Sequence, residues 1–179
     1  MFTKPIKHLG LVLLPLTLVT IPISMIYQND SNLGSIDNDL KLHIIVSIAS
    51  YGFLGLAAIQ AILLRHQENK LKYINKSLFL TILPPIEKME KEMFDLIIFG
   101  LFLLTLSLLS GAPFVAINKH PGLLEKILFS IIAWITYSYL LYSHFSMGVR
   151  GKKATNLTLG GMVFLFIAYL GTKLFFELS

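Results

Sequence analysis

Leu96-Ile-Ile-Phe-Gly-Leu-Phe-Leu-Leu-Thr-Leu-Ser-Leu-Leu-Ser-Gly-Ala-Pro-Phe-Val-Ala-Ile-Asn118 is a run of 23 residues without Asp, Glu, Lys or Arg, closed off by Asp95 and Lys119. A bilayer core about 30 Å thick needs about 20 apolar residues in a helix rising 1.5 Å per residue. The run is therefore long enough to cross. Outward from it the pattern recurs: 8–29, 42–64, 127–149 and 154–172 also lack all four charged residue types. The five runs take up 110 of the 179 residues, the mean hydropathy is +0.72, and 14% of residues are charged. A soluble domain carries about 25% charge. The reading is an all-α polytopic membrane helix bundle, a single transmembrane domain over 1–179 embedded in the lipid bilayer. Its five transmembrane helices are expected over about 9–27, 42–64, 96–117, 126–145 and 156–177. A water-soluble globule is excluded.

Loop cations set the orientation, because Lys and Arg concentrate on the cytoplasmic side. With the N-terminus inside, the inner segments hold Lys4, Lys7, Arg65, Lys70, Lys72, Lys76, Lys88, Lys91, Arg150, Lys152 and Lys153. The outer segments hold only Lys41, Lys119, Lys126 and Lys173. That imbalance predicts a cytoplasmic N-terminus and a C-terminus on the opposite, periplasmic face. In the inner loop 65–95, Pro84-Pro85 stops what precedes it. Beyond the prolines Ile86, Met89, Met93 and Phe94 recur at helical spacing, with Glu87, Lys88, Glu90, Lys91 and Glu92 on the other faces. This pattern predicts an amphipathic helix on the inner membrane surface that bends into the third span. His120-Pro121-Gly122 is a turn.

Composition removes several kinds of chemistry. With no cysteine there are no disulfides, thiolate nucleophiles, zinc–thiolate sites or iron–sulfur clusters. The net charge of +5 belongs to the cytoplasmic loops and implies no nucleic-acid partner. Lys4 and Lys7 precede an apolar stretch too long for a secretory signal, with no small-x-small cleavage site after it, so it reads as a retained span. Acids are missing from the spans, and no inverted repeat is visible, which disfavours an ion-driven carrier. No catalytic nucleophile, carboxylate pair or phosphate loop points to an enzyme.

Lipid-facing helix surfaces need only be apolar, so polar stripes mark faces that pack or bind. On the second span His43, Ser47, Ser50, Leu54, Ala57 and Ala61 share one face at 100° per residue. On the fourth, Ser130, Trp134, Tyr137, Leu141 and His144 do the same, with Trp134 placed to pack. Thr105, Ser107, Ser110 and Gly111 of the third span, and Gly160, Gly161 and Ala168 of the fifth, read as packing residues.

Histidine is the one strong metal or haem ligand left. His8 and His66 sit in inner flanks among charges, His43 and His120 fall on the outer side, and His144 on the inner. Iron–nitrogen bonds of about 2 Å put the two nitrogens of a bis-histidine site about 4 Å apart. His43 and His144, at opposite ends of spans about 30 Å long, cannot clasp one iron. Either there are two sites, or one of them works with His120 or with another chain.

Several stretches together resemble the CcsA/HemX-type cytochrome c assembly family of bacterial membrane proteins, in particular its YpjD-like branch. They are His43-Ile-Ile-Val-Ser47, Ala57-Ala-Ile-Gln-Ala61, Leu83-Pro-Pro-Ile-Glu-Lys-Met89, Leu104-Thr-Leu-Ser-Leu-Leu-Ser-Gly111, Ser130-Ile-Ile-Ala-Trp134 with His144, Gly148-Val-Arg-Gly151 and Ala168-Tyr-Leu-Gly-Thr-Lys173. The resemblance implies a multi-pass protein of the bacterial inner membrane that binds or guides haem during cytochrome c maturation, alongside other cytochrome c assembly proteins. It implies His43 as an axial ligand and His144 as a second site, with His120 able to stand in for an outer histidine that the chain lacks. Trp134 stands alone, so the tryptophan-rich haem-presenting motif is absent. Further spans, which relatives carry ahead of the position of Met1, would make this a short member or a truncated one. The alternative is a non-catalytic membrane protein that regulates the haem pathway without holding haem.

Overall fold

Residues 38–72, 85–117 and 123–177 are described by a computed structural model. They form four helices, α1 (Asn38–Lys72), α2 (Ile86–Ile117), α3 (Leu123–Met147) and α4 (Lys152–Glu177). The expected spans 42–64, 96–117, 126–145 and 156–177 each fall inside one of these helices. The expected span over 9–27 lies outside the described residues. Leu40–Asn69, Ile86–Gly111 and Leu124–Met147 are each long and apolar enough to cross a membrane.

Local sequence explains where helices begin and end. The Pro85 carbonyl accepts the amides of Lys88 (3.0 Å) and Met89 (3.1 Å), which opens α2 one residue after the ring that has no N–H to give. Gly148 (φ 65°) ends α3 and returns its N–H to the His144 carbonyl at 3.1 Å, a left-handed cap suited to a residue without Cβ. Gly151 (φ 61°) then feeds α4, its carbonyl accepting the Thr155 amide.

The helices run alternately up and down. His43 on α1 meets Ser110 on α2, whereas Gln60 meets Glu92, so the two are antiparallel. Trp134 meets Thr105 and His144 meets Phe94, which sets α3 antiparallel to α2. Arg65 bonds Asn156 at one end of the α1–α4 pair, and Tyr51 meets the Tyr169 ring edge-on toward the other. The order α1–α2–α3–α4 therefore closes back on α1. Leu54, Ala57, Ala61, Met93, Tyr137 and Leu165 fill the interior. Tyr137 is its largest wholly buried side chain; its hydroxyl donates to the Thr158 carbonyl, and its ring occupies the space over Gly161. Outward, Phe99, Phe102, Leu109, Ile135 and Phe166 are exposed, as a bilayer requires.

One expectation is corrected. The amphipathic stretch after Pro85 is no separate surface helix: Ile86–Ile117 is a single unbroken helix. Its apolar face lies against the bundle, with Met89, Met93 and Phe94 buried. A groove between helices and a lipid surface both reward the same apolar stripe, and α1 offers the groove. The inner loop is shorter than 65–95 for the same reason, because α1 continues to Lys72 and buries Gln67.

Candidate functional site

The face of α1 that carries His43, Ser47 and Ser50 is turned to α2 and meets its hydroxyl-bearing side. His43 Nδ1 lies 3.0 Å from Ser110 Oγ, Ser47 Oγ lies 2.6 Å from Ser107 Oγ, and Ser50 Oγ donates to the Gly100 carbonyl at 2.9 Å. Below these, small residues take over, and Ala57 and Ala61 are wholly buried. The imidazole rests on Gly111: a Cβ there would sit 2.8 Å from its Cε1. His43 is half-buried, with Leu42, Ile45, Leu106 and Leu109 exposed nearby on the same two helices. A half-buried imidazole held at one nitrogen can ligate a metal through the other.

His144 has different surroundings. Its ring stacks on Phe94 with centroids 3.6 Å apart and planes at 20°, and Nδ1 lies 3.0 Å from the Val149 carbonyl. A carbonyl only accepts, so Nδ1 is the protonated nitrogen. The ring thus clamps the end of α3 to α2 and to the 148–151 loop. From the other side Glu90 Oε1 accepts the Gly151 amide at 2.8 Å. His66 is exposed.

Phe94 and Ser110 are sixteen residues apart on α2, about 24 Å along its axis. The histidines they touch therefore belong to opposite ends of the bundle, and no single iron joins His43 to His144. His120 lies outside the described residues, as does His8. Among the described residues no group of three His, Asp or Glu side chains is arranged to hold a metal ion. Trp134 packs as expected, its Nε1 donating to Thr105 Oγ1 at 2.9 Å.

Sequence reasoning missed two features. Gln60, reaching the Met89 carbonyl and Glu92, sits one residue off the alanine face with no spacing signal of its own. Glu90 looked like one charge in a solvated run, yet it is the acceptor that holds the Gly148–Gly151 turn.

Three helices of membrane-spanning length packed in one bundle define a multi-pass membrane protein. Residues 2–178 match the family described as cytochrome C assembly protein, and the chain belongs to that family. Inner membrane protein YpjD of Escherichia coli K12 is 34% identical over 136 residues, covering 75% of this chain and 51% of that protein. Protein HemX of Bacillus subtilis is 27% identical over 132 residues, covering 73% and 48%. Cytochrome c biogenesis protein CcsA of Prochlorococcus marinus MIT 9303 is 30% identical over 92 residues, covering 49% and 28%. The chain spans about half the length of the first two. No solved structure matches it significantly. The resemblance read from the ordered motifs is borne out.

Proposed function

We propose that this chain is a haem-binding component of cytochrome c maturation in a bacterial inner membrane, with His43 as an axial ligand and no enzymatic step of its own. The observation that carries the reading is the seat of His43. Its imidazole is held by Ser110 and lies on Gly111 at the hydroxyl-rich end of the α1–α2 seam. Membership of the cytochrome c assembly family supports haem as the ligand, and the relative named as a cytochrome c biogenesis protein supports the pathway. By the cation count His43 faces the periplasm, with the chain's N-terminus in the cytoplasm and its C-terminus outside. His120 is the candidate second ligand on that side, and further assembly proteins are the expected partners. His144, stacked and hydrogen-bonded, serves the fold, and ligation there would have to use Nε2 without losing the Val149 bond.

The test is a haemin titration of the detergent-purified protein followed by its absorbance. The wild type is expected to give a shifted Soret band, His43→Ala to weaken binding about 10-fold or more, and His144→Ala to retain the band. No Soret shift in the wild type would remove haem from the proposal.

A second reading is a haem-free regulatory partner in the same pathway. Trp134 favours it, because it is the chain's lone tryptophan, bonded to Thr105, whereas the haem-presenting relatives carry a tryptophan-rich motif. A stable complex with another membrane protein in a haem-free preparation would support this alternative.

A further inference from the structure

Around His43 the hydrogen bonds can be followed proton by proton. Ser47 Oγ donates its single hydrogen to the His43 carbonyl, 2.7 Å away. In its 2.6 Å contact with Ser107 Oγ it must then accept, so Ser107 is the donor there. Ser110 Oγ gives its own hydrogen to the Ser107 carbonyl at 3.1 Å. With its hydrogen on that carbonyl, the hydroxyl oxygen is the acceptor in the 3.0 Å contact with His43 Nδ1. In this arrangement Nδ1 carries the hydrogen.

We infer that Ser110 is a positioning residue that fixes His43 as the Nδ1–H tautomer and so makes Nε2 the atom presented to a ligand. In the neutral ring one nitrogen donates and the other carries the lone pair, and the partner of the first decides which is which. A hydroxyl whose hydrogen was free could serve either tautomer. Ser110 favours one, because the Ser107 carbonyl one turn back on α2 accepts its hydrogen. Gly111 completes the arrangement by leaving room for the ring against α2, so the imidazole is set in both position and protonation. The inference deepens the haem reading of this site, since a metal takes the lone pair and such a partner tunes its ligand.

The experiment is nitrogen NMR on the full chain in detergent, labelled with 15N-histidine and free of haem, with the His43 signals assigned by their loss in His43→Gln. The wild type is expected to show a protonated Nδ1 and an unprotonated Nε2. Ser110→Ala should shift those signals toward a mixture of tautomers, and Ser110→Thr, which keeps a hydroxyl, should restore them. In haemin titrations Ser110→Ala should weaken binding about 10-fold, with Ser110→Thr again close to wild type. A wild-type His43 protonated on Nε2 alone, or the same tautomer in wild type and Ser110→Ala, would overturn the inference. Because the tautomer is read without haem, it decides this point even if haemin fails to bind and the broader reading falls.

Discussion

The imidazole of His43 and the backbone of Gly111 are in contact across the α1–α2 seam, so closely that an added methyl would fall 2.8 Å from Cε1 and 3.3 Å from Nδ1. The ring itself can swing away, but only by leaving Ser110. Gly111→Ala should therefore shift His43 off its hydrogen bond. Loss of fit costs about 1–3 kcal/mol when a packed position is overfilled. Gly160 is the control, since a Cβ there meets nothing within 4 Å. Gly160→Ala should be neutral or stabilising by about 0.5–1 kcal/mol through helix propensity. Thermal unfolding in detergent separates the two, and the Gly111 variant alone should also bind haemin more weakly.

At Gly161 the same kind of contact has no ligand attached to it. A Cβ would come within 2.7 Å of the Tyr137 ring, which is wholly buried and has nowhere to go. Gly161→Ala should cost about 1–3 kcal/mol. Tyr137→Phe keeps the ring and removes only the bond to the Thr158 carbonyl, an interhelical interaction of a kind that averages about 0.6 kcal/mol in a membrane protein. Overpacking should outweigh the hydrogen bond. Equal or reversed losses in unfolding would mean that the tyrosine is held by its hydroxyl and not by its fit.

These contacts show what could be read from the chain and what could not. The helical wheel placed His43, Ser47, Ser50, Leu54, Ala57 and Ala61 on one face, and that face is the seam, because polar and small side chains gain nothing from lipid. The wheel could not name the partner. Ser107 and Ser110 were visible as packing residues, but only the antiparallel pairing of α1 with α2 brings them level with Ser47 and His43. Phe94 was read as part of a lipid-facing stripe, and it stacks instead on His144, fifty positions downstream in the sequence of 179. Apolar periodicity marks a buried face and is silent on what buries it.

The inner turn makes its own prediction. Gly151 holds φ at 61°, donates its amide to Glu90, and leaves only 3.1 Å between a would-be Cβ and Glu68 Oε1. Gly151→Ala combines backbone strain of about 1–3 kcal/mol with that close contact. Glu90→Ala removes a hydrogen bond to a charged acceptor, worth about 1.5–3 kcal/mol. Glu90→Gln retains an acceptor oxygen and should fall between Glu90→Ala and wild type. Arg150 and Lys152 are exposed beside the turn, so limited trypsin digestion reads its opening directly. Cleavage there should quicken in Gly151→Ala and Glu90→Ala, while the helix content by circular dichroism stays constant.

Orientation can be tested through α3 alone. The candidate span Leu124–Met147, 24 residues, is about 36 Å long, more than the hydrocarbon core, so Glu125 at its start and Arg150 just past its other end cannot share a compartment if the helix crosses. Hydrogen bonds place Arg65, Glu90, Gly151 and Asn156 together at the Arg150 end, where Lys88, Lys91, Lys152 and Lys153 also lie. At the Glu125 end the described side chains include only Lys41 and Lys126 as cations. The chain has no cysteine, so each introduced thiol reports alone. A membrane-impermeant maleimide applied to intact spheroplasts should label Glu125→Cys and should reach Arg150→Cys only after lysis. The reverse result would turn His43 toward the cytoplasm, and the periplasmic placement of the proposed haem site would have to be given up. Labelling of both thiols in intact cells would mean that α3 does not cross at all.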